Sequence, residues 1–399
     1  MKSLMRIDTR RWQEGAVLRH RSEHKSDIGL YAPHCAFERV FNSIENAPQE
    51  LPPDSPFLPP GHSGSERGSL LIIALSFLMI MSLFALSVGY GVRQRLLVAS
   101  RLEAREKLFY IAEAGVKKAM AVLEQKETRP PVVDALTQSW SRSEAQFKDI
   151  PVGEGSFSIV RSSGEDLQYG LVDEESKINL NHITAPAILT RLLQGAAGIE
   201  AEKAQGLAFC IMDWIDPDDD PHDLGAEKEY YLTLKPPYAP KNAGVRVFEE
   251  LLYVKGMNPE ILESIRPYVT LEGAGKQINA NTASGTVLLS MGLGDSLVSK
   301  IMAFRKGRDQ AEGTADDSVF GNAGEITETL QSFGYLDASE VEMMNSFSQS
   351  GKLGVSSETF TVQSLARLQR RSESLRVLAV VNKVGEIRQW QEEYLKTPS

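Results

Sequence analysis

The residues best suited to chemistry form an acidic stretch from Asp213 to Glu227, in which seven of fifteen residues are carboxylates. Four of them match the spacing of the carboxylate ligands in an EF-hand calcium loop. They are Asp216, Asp218, Asp220 and Glu227. The match is incomplete, because Pro221 replaces the loop glycine and no flanking pair of EF-hand helices is evident. Crowded carboxylates repel one another unless a cation or protons neutralise them. We therefore expect either a calcium site, with Asn242 as a further candidate ligand, or a solvated acidic turn.

No catalytic motif accompanies this acidic stretch. Gly275-Lys276 does not belong to a P-loop, because Thr270 stands where that motif needs its first glycine and Gln277 follows the lysine. No Gly-x-Ser-x-Gly nucleophile motif occurs. We therefore predict no catalytic residues and no enzymatic activity.

The charge balance argues against nucleic acid as a partner. The formal net charge is −10, and all of it falls in residues 69–399, since residues 1–68 hold nine basic and nine acidic side chains. An acidic surface repels the phosphate backbones of DNA and RNA.

One long apolar segment predicts a membrane span. Ser69 to Val92 is a run of 24 residues without charge, which is enough to cross a hydrocarbon core of about 30 Å. A buried helix of a soluble protein, or the apolar part of a secretory signal, is usually shorter. The helical pattern then continues to about Gln125, before Pro130 and Pro131 interrupt it. Its apolar face consists of Phe109, Ala112, Val116, Ala119 and Leu123. We expect one helix, half in lipid and half an amphipathic stem.

Strand patterns lie on both sides of a helical block. Residues 155–159 alternate in hydrophobicity, turn at Ser163-Gly164 and resume at 167–173, which predicts an antiparallel hairpin. From Thr184 to about Phe347 the pattern is helical. Strand patterns return at 359–368, 375–383 and 386–391. The sequence therefore predicts an α+β protein, in which a helical block is inserted into a domain built on a sheet.

The helical block contains a weak internal repeat. Residues 177–181 (KINLN) and 277–281 (QINAN) begin 100 positions apart, and each precedes a helical pattern with paired leucines. Asparagine is a good N-cap, because its side-chain oxygen accepts a hydrogen bond from a free amide at the start of a helix. The two copies are therefore either capping chemistry alone or the beginnings of two related subdomains.

The start of the apolar segment resembles a pilin-like processing site. Glu66-Arg67-Gly68 before Ser69 looks like the target of a prepilin peptidase, with Gly68 ending the leader and Ser69 beginning the mature chain. The AEAG sequence at 112–115 also resembles pilin-like proteins. Ile73 occupies the fifth mature position, where most pilins have Glu, and in this the chain resembles the protein K family of type II secretion systems.

The same family resemblance extends from Ser69 to about Gln391. It is carried by the order of LVDE at 171–174, the two Ile-Asn-x-Asn segments, and FEELL at 248–252 before VKGM at 254–257. It implies a pilin-like α/β domain with an antiparallel sheet and a large two-part α-helical insertion, SAM-like or helix-hairpin-helix-like. The predicted division is 1–68 as leader, 69–92 as transmembrane helix, 93–130 as stem, 131–176 as the first part of the sheet, 177–275 and 276–350 as the two helical subdomains, and 351–399 as the C-terminal strands.

The resemblance also implies a function. Members of this family are minor pseudopilins of the bacterial inner membrane with a periplasmic globular domain, and they bind calcium. The implied partners are the minor pseudopilins I and J, the major pseudopilin and the prepilin peptidase, with initiation or capping of a short filament for protein secretion as the role. We therefore expect a cleaved and methylated N-terminus, and the missing acid at Ile73 suits a subunit at the filament tip.

Two other functions are compatible with parts of the sequence. Residues 278–284 and 292–294 resemble a helix-hairpin-helix of a membrane-anchored, competence-type DNA-binding protein, although the acidic charge opposes this reading. A minor pilin of a type IV pilus would share the N-terminal helix but lack the helical block. A leader of 68 residues is long for the pseudopilin family. In addition, the basic residues that follow Val92 outnumber Arg67 before the span, so positive-inside counting places the large domain in the cytoplasm instead.

Overall fold

The computed structural model describes residues 67–124, 133–163, 166–273, 277–334, 336–369 and 371–396. The chain forms two units, Met1–Ile80 and Met81–Ser399. The described residues of the first unit are all helical. The predicted leader at 1–68 lies outside the described residues except for its last two, and so does the predicted helix stop at Pro130 and Pro131.

The helices and strands follow one another in an α+β order. The helices are α1 (Arg67–Glu124), α2 (Glu144–Phe147), α3 (Pro186–Ala197), α4 (Ala201–Ile215), α5 (Lys228–Leu232), α6 (Pro259–Ile265), α7 (Gly285–Met291), α8 (Asp295–Arg305), α9 (Ile326–Ser332) and α10 (Ala338–Gln349). The strands are β1 (Ile150–Val152), β2 (Gly155–Ser163), β3 (Asp166–Tyr169), β4 (Val172–Asp173), β5 (Ile178–Asn179), β6 (Val269–Thr270), β7 (Ile278–Asn279), β8 (Leu353–Gly354), β9 (Thr359–Leu368), β10 (Glu373–Asn382) and β11 (Ile387–Lys396).

Seven of the described strands form one antiparallel sheet. Its order is β1-β2-β9-β10-β11, with β3 paired to β2 and β4 paired to β9. The predicted hairpin is confirmed, since β2 and β3 pair as far as Ser163 and Asp166. The three predicted C-terminal strands are confirmed as β9, β10 and β11, although β11 continues to Lys396 rather than ending near Gln391.

The C-terminal half of α1 packs on this sheet. The predicted apolar face of the stem is buried there at Ala112, Val116, Ala119 and Leu123. Phe109 is half-buried, and its ring centroid lies 5.9 Å from that of Trp390 on β11. Gly115 permits the close approach, because a Cβ at this position would lie 2.2 Å from the Ser364 hydroxyl oxygen on β9. The amphipathic stem is therefore the helix that covers the sheet.

The helical block leaves the sheet after β4 and returns to it at β9. Because β4 and β9 are paired, with Val172 opposite Thr361, the chain leaves and re-enters the sheet at neighbouring strands. The block has its own hydrophobic core, separate from the core between stem and sheet. Its fully buried side chains include Leu180, Leu189, Leu192, Leu193, Tyr231, Leu251, Leu288, Phe320 and Leu330. The predicted α+β fold with a large helical insertion is confirmed.

The two Ile-Asn-x-Asn segments occupy equivalent positions in this block. Ile178–Asn179 forms β5, which pairs in parallel with β6, whereas Ile278–Asn279 forms β7, which pairs in parallel with β8. Each copy therefore begins a stretch of helices that ends at its own partner strand. In the first copy the predicted capping is confirmed, since the Asn179 side chain caps a short 3-10 helix at Leu180–His182; the α-helices α3 and α7 begin later, at Pro186 and Gly285.

The second asparagine of each copy makes the same pair of hydrogen bonds across its subdomain. Asn181 accepts from the Val245 amide at 2.7 Å and donates to the Val245 carbonyl at 2.9 Å. Asn281 accepts from the Phe320 amide at 2.8 Å and donates to the Phe320 carbonyl at 3.0 Å. The first asparagine of each copy accepts from the backbone of the second at 2.9 Å. The two copies therefore do more than cap helices, because each also ties its own strand to a later segment of the helical block.

A buried polar cluster joins the helical block to the sheet. The Asp173 carboxylate accepts hydrogen bonds from Thr282 at 2.5 Å, Ser357 at 2.7 Å, Asn279 at 3.2 Å and the Glu175 amide at 2.9 Å. Burial raises the pKa of Asp173 to about 6, although the hydroxyl donors oppose this shift. The negative charge of Glu175 raises the pKa further. The carboxyl group of Asp173 is thus held in a site that favours its protonated form.

We expect the stability of the folded chain to depend on pH through Asp173. A carboxyl whose pKa is about 6 when folded and about 3.9 when unfolded stabilises the fold below pH 4, and this contribution is lost as pH rises through 6. The loss is at most about 3 kcal/mol. Urea unfolding at pH 4.5 and 7.5, with a calcium chelator present, measures it.

The matched variants for this experiment are Asp173→Asn and Glu328→Gln, the latter an exposed residue of α9. Asp173→Asn should reduce the pH dependence to the part that Glu227 contributes without calcium, whereas Glu328→Gln should leave it as in the wild type. Equal pH dependence in the wild type and Asp173→Asn would show that Asp173 ionises normally in the fold.

Candidate metal centre

The acidic stretch lies between two helices of the first inserted subdomain. Helix α4 ends at Ile215, directly before Asp216, and the short helix α5 begins at Lys228, directly after Glu227. The loop thus has a helix on either side, but α5 has only five residues, so the arrangement is not an EF-hand pair. The geometry of the loop is set instead by a buried residue of α4.

Asp213 organises the loop from inside the core. It lies on the apolar face of α4 and is fully buried. One carboxylate oxygen accepts from the Ala226 amide at 2.7 Å, and the other contacts His222, at 2.5 Å from its Nδ1 and 3.3 Å from its amide. Gly225 is required beside it, because a Cβ there would lie 1.8 Å from the carboxylate. Asp213 therefore folds the second half of the loop back on α4.

Three of the predicted ligands present buried oxygens that have no hydrogen-bond partner among the described residues. These atoms are Asp216 Oδ1, both carboxylate oxygens of Glu227 and Asn242 Oδ1. The side chain of Glu227 is only 3% exposed. Leaving buried polar atoms unpaired is unfavourable, and an ionised carboxylate is the most unfavourable case. A bound cation near these oxygens would compensate for the missing hydrogen bonds.

The electrostatics of the same residues also favour a bound positive charge. Burial raises the pKa of Glu227 to about 7, with further contributions from the negative charges of Asp213, Asp216 and Asp219. Burial likewise raises the pKa of Asp216, and the charges of Asp218 and Asp213 add to the effect. Without a cation, Glu227 is therefore held half-protonated near neutral pH.

Asn242 connects the first half of the loop to a later segment of the chain. Its side-chain amide donates to the Asp218 carbonyl at 2.5 Å and to an Asp219 carboxylate oxygen at 3.0 Å. Its backbone has a φ of +45°, a left-handed conformation that asparagine tolerates better than most residues. These contacts bring Asn242 to the loop although 15 residues separate it from Glu227 in the sequence.

The predicted ligand carboxylates differ from one another in their hydrogen bonds and exposure. Asp218 accepts a hydrogen bond from the Asp220 amide at 3.0 Å, and the Asp220 side chain is exposed. Asp219 is also exposed, but it accepts a hydrogen bond from the Asn242 side chain and its charge raises the pKa of Glu227. Spacing rules omitted Asp219, because it falls between the alternating ligand positions of an EF-hand. They also omitted Asp213, although an acid on the apolar face of a helix is a recognisable signal.

The available atoms fit a hard cation such as Ca²⁺. The unpaired donors are carboxylate and amide oxygens, which Ca²⁺ prefers. His222, whose ring nitrogen lies near Asp213 and Asp216, is already bonded to Asp213, and this hydrogen bond raises the pKa of His222. The imidazole therefore holds a proton more readily than a free histidine, which makes it a weaker metal ligand. The donor set is therefore suited to binding a cation through oxygen.

A second acidic group, on the loop after α8, includes a carboxylate that is already hydrogen-bonded. Asp309, Asp316 and Asp317 place carboxylate oxygens within 4.8 Å of one another. One Asp316 oxygen accepts from the amides of Arg308 and Asp309, at 2.7 and 3.2 Å, and backbone donors lower the pKa of Asp316. These carboxylates are thus stabilised by the turn itself.

Comparison with known proteins identifies the family. A family model described as "Type II secretion system (T2SS), protein K" matches residues 175–273, the segment that holds the acidic loop and Asn242. The type II secretion system protein K of Pseudomonas aeruginosa is 30% identical over 236 residues, which cover 57% of this chain and 68% of that protein. The chain belongs to the type II secretion system protein K family. It is therefore a minor pseudopilin component of such a system.

Other relatives of this protein K family member show the same match. The protein K of Pectobacterium carotovorum subsp. carotovorum is 26% identical over 222 residues, covering 54% of this chain and 66% of that protein. A crystal structure described as the GspK-GspI-GspJ complex of the enterotoxigenic Escherichia coli type 2 secretion system contains a chain with a TM-score of 0.55. It is 18% identical, and the match covers 74% of this chain and 99% of that one. The fold of the protein K family member is thus shared with that chain.

Proposed function

We propose that the chain is the minor pseudopilin at the tip of a type II secretion pseudopilus, where it helps to initiate or cap the filament without catalysing a reaction. Membership of the protein K family assigns the chain to a type II secretion system. Helix α1 is long and apolar enough to cross a membrane once. The globular domain would lie in the periplasm and contact the minor pseudopilins I and J, which are named in the complex that contains the similar chain.

The observation that carries the tip position is the side chain at the fifth place after Gly68. Ile73 is 61% exposed in the described helix and has no carboxylate. A pilin with Glu in this position can pair with the N-terminal amine of the neighbouring subunit, whereas Ile73 cannot. A subunit without this contact is better suited to the end of a filament than to its body, where every subunit needs it.

Calcium would act as a structural ion in this role. The acidic loop, Asn242 and helix α4 belong to the helical block, and the buried unpaired oxygens of Asp216, Glu227 and Asn242 would be ligands of the ion. An ion that binds only the folded subdomain stabilises it. The DNA-binding alternative gains no support, because the chain is acidic overall.

Membrane extracts from cells that express tagged minor pseudopilins I and J test the assignment. The full chain should co-purify with both, and with far less of the major pseudopilin. Ile73→Glu should shift recovery towards the major pseudopilin, because it restores a carboxylate at the fifth position. Ile73→Gln is the matched control without charge. Loss of the chain from I and J complexes in all samples would rule out the proposed assembly.

We also propose cleavage by a prepilin peptidase after Gly68, followed by methylation of Ser69. Gly68→Trp should block cleavage, because the bulky side chain replaces the glycine that ends the leader, and the chain should keep its larger size on a gel. Gly64→Trp, four residues earlier, is the matched control and should be processed normally. Edman sequencing of the membrane-bound wild type should begin at Ser69. An N-terminus that still carries residues 1–68 in cells with an active peptidase would refute the processing site.

A further inference from the structure

We propose that Arg93, Arg95 and Arg101, here called the arginine collar, bind the anionic headgroups of phospholipids at the membrane surface. The collar follows directly after the uncharged run that ends at Val92. The inference rests on the proposed membrane anchoring by α1, but it holds for either orientation of the chain. Juxtamembrane basic residues are attracted to anionic lipids through their charge.

The collar has no partner within the described part of the chain. Arg93, Arg95 and Arg101 are exposed, and none of them makes an ion pair or hydrogen bond with another described residue. Glu373 lines the same groove as Arg101 but does not form an ion pair with it. The collar therefore carries three positive charges without an ion-pair partner among the described residues.

Further along the same helix, basic residues do form contacts within the chain. Lys107 contacts Glu103 at 3.0 Å and Glu154 at 2.8 Å, and Lys117 contacts Glu113 at 2.9 Å. Beyond Glu103, the first acidic residue after the apolar run, Lys107 and Lys117 thus form ion pairs and Arg105 lies over the Tyr394 ring. This contrast suggests that the anions for the collar come from outside the chain.

The angular positions of the collar distinguish a lipid surface from a protein partner. At about 100° per residue, Arg101 lies about 80° and Arg95 about 200° around the helix from Arg93. The three guanidinium groups therefore point to different sides of α1. A docked protein covers one side of a helix, whereas the headgroup layer surrounds it.

The depth of the collar also fits the headgroup layer. Arg93 and Arg95 lie within about 5 Å of the end of the apolar run, at 1.5 Å per residue. Arg101 is about 13 Å from that end, and helical side chains lean towards the N-terminus, which here is the membrane side. Exposed apolar side chains lie between the arginines: Leu96 at 65%, Leu97 at 49% and Val98 at 53% exposure. Such a mixture of basic and apolar residues is typical of a segment at a membrane interface.

Electron paramagnetic resonance of spin-labelled lipids tests this inference. The full chain is reconstituted in phosphatidylcholine bilayers with a trace of spin-labelled phosphatidylglycerol or spin-labelled phosphatidylcholine, and the motionally restricted fraction of each is measured. We expect the protein to favour phosphatidylglycerol by about threefold or more in low salt. The preference should fall towards one in 1 M NaCl, where charges are screened beyond about 3 Å.

Three variants assign the preference to the collar. The triple variant Arg93→Gln, Arg95→Gln and Arg101→Gln should lose it, and the corresponding triple Arg→Lys variant should keep it. The matched control Lys117→Gln, Lys118→Gln and Lys148→Gln removes the same charge from elsewhere and should bind as the wild type does. Inorganic phosphate at constant ionic strength should compete no better than chloride.

The outcomes separate this inference from the anchoring on which it rests. If neither lipid is restricted, the chain does not span the bilayer and the anchoring itself is wrong. If both lipids are restricted equally, the anchoring stands and the collar does not select anionic lipid. A preference that survives in the triple Gln variant, or that phosphate abolishes, would equally overturn the proposal.

Discussion

Removal of calcium should lower the melting temperature of the detergent-extracted chain by about 5 °C or more. A ligand that binds only the folded state adds about 2.7 kcal/mol at a hundredfold excess over Kd. Each kcal/mol shifts the midpoint by about 2–4 °C in a protein of 150–250 residues. Differential scanning fluorimetry with and without a chelator measures the shift, and calorimetry measures uptake of the ion.

Two single substitutions locate the ion within the acidic loop. Glu227→Gln should abolish the calcium-dependent shift, because both oxygens of the buried carboxylate are unpaired. It should not destabilise the metal-free chain, since it removes a charge that Asp213, Asp216 and Asp219 repel. Asp220→Asn removes the same charge from an exposed side chain and should keep most of the shift. Superimposable melts of the wild type with calcium and with chelator would mean that the loop is a solvated acidic turn.

Loss of the Lys383 side chain should be the most destabilising single change at the junction between sheet and helical block. Lys383 contacts the fully buried Asp134 carboxylate at 2.7 Å, and the Ser357 amide donates to the same oxygen at 2.7 Å. Burial lowers the pKa of Lys383, because it disfavours the charged ammonium group. Lys383→Met would leave the carboxylate without its cation. Such a loss costs about 3–5 kcal/mol.

Chemical unfolding followed by tryptophan fluorescence measures this loss. The matched control is Lys148→Met, which breaks an exposed ion pair with Glu144 and should change the free energy of unfolding by at most about 1 kcal/mol. Combining Lys383→Met with Asp134→Leu should recover part of the stability, because no buried charge is then left unpaired. Equal effects of Lys383→Met and Lys148→Met would show that the pair is solvated.

The sequence predicts the elements of this fold better than it predicts their contacts. Hydrophobic periodicity is a local property, so the stem helix and strands β9, β10 and β11 could be placed closely. The junction could not, because Asp134, Asp173, Asn279 and Ser357 are 39 to 223 residues apart and no local pattern relates them. The predicted domain boundaries stay predictions.

The candidate metal centre was predictable in position but not in detail. Seven carboxylates in fifteen residues marked the loop. Which oxygens face inwards depends on how the backbone turns, and that is set by Asp213 and by the contact of Asn242 with Asp219. An EF-hand template therefore selected Asp220 and passed over Asp219, although both side chains are exposed and only Asp219 contacts Asn242.

The pairing of β4 with β9 has a consequence for how the chain can fold. The whole helical block is one long connection between β4 and β9, which are neighbouring antiparallel strands of the sheet. The entropy of closing such a connection grows only logarithmically, by about 0.6 kcal/mol for each doubling of its length. The pairs β5–β6 and β7–β8 divide it into two smaller closed loops, each with contacts of shorter sequence separation. A pilin-like sheet can thus accommodate a large helical insertion with only a small loss of loop-closure entropy. This holds provided that each half of the insertion folds as a unit.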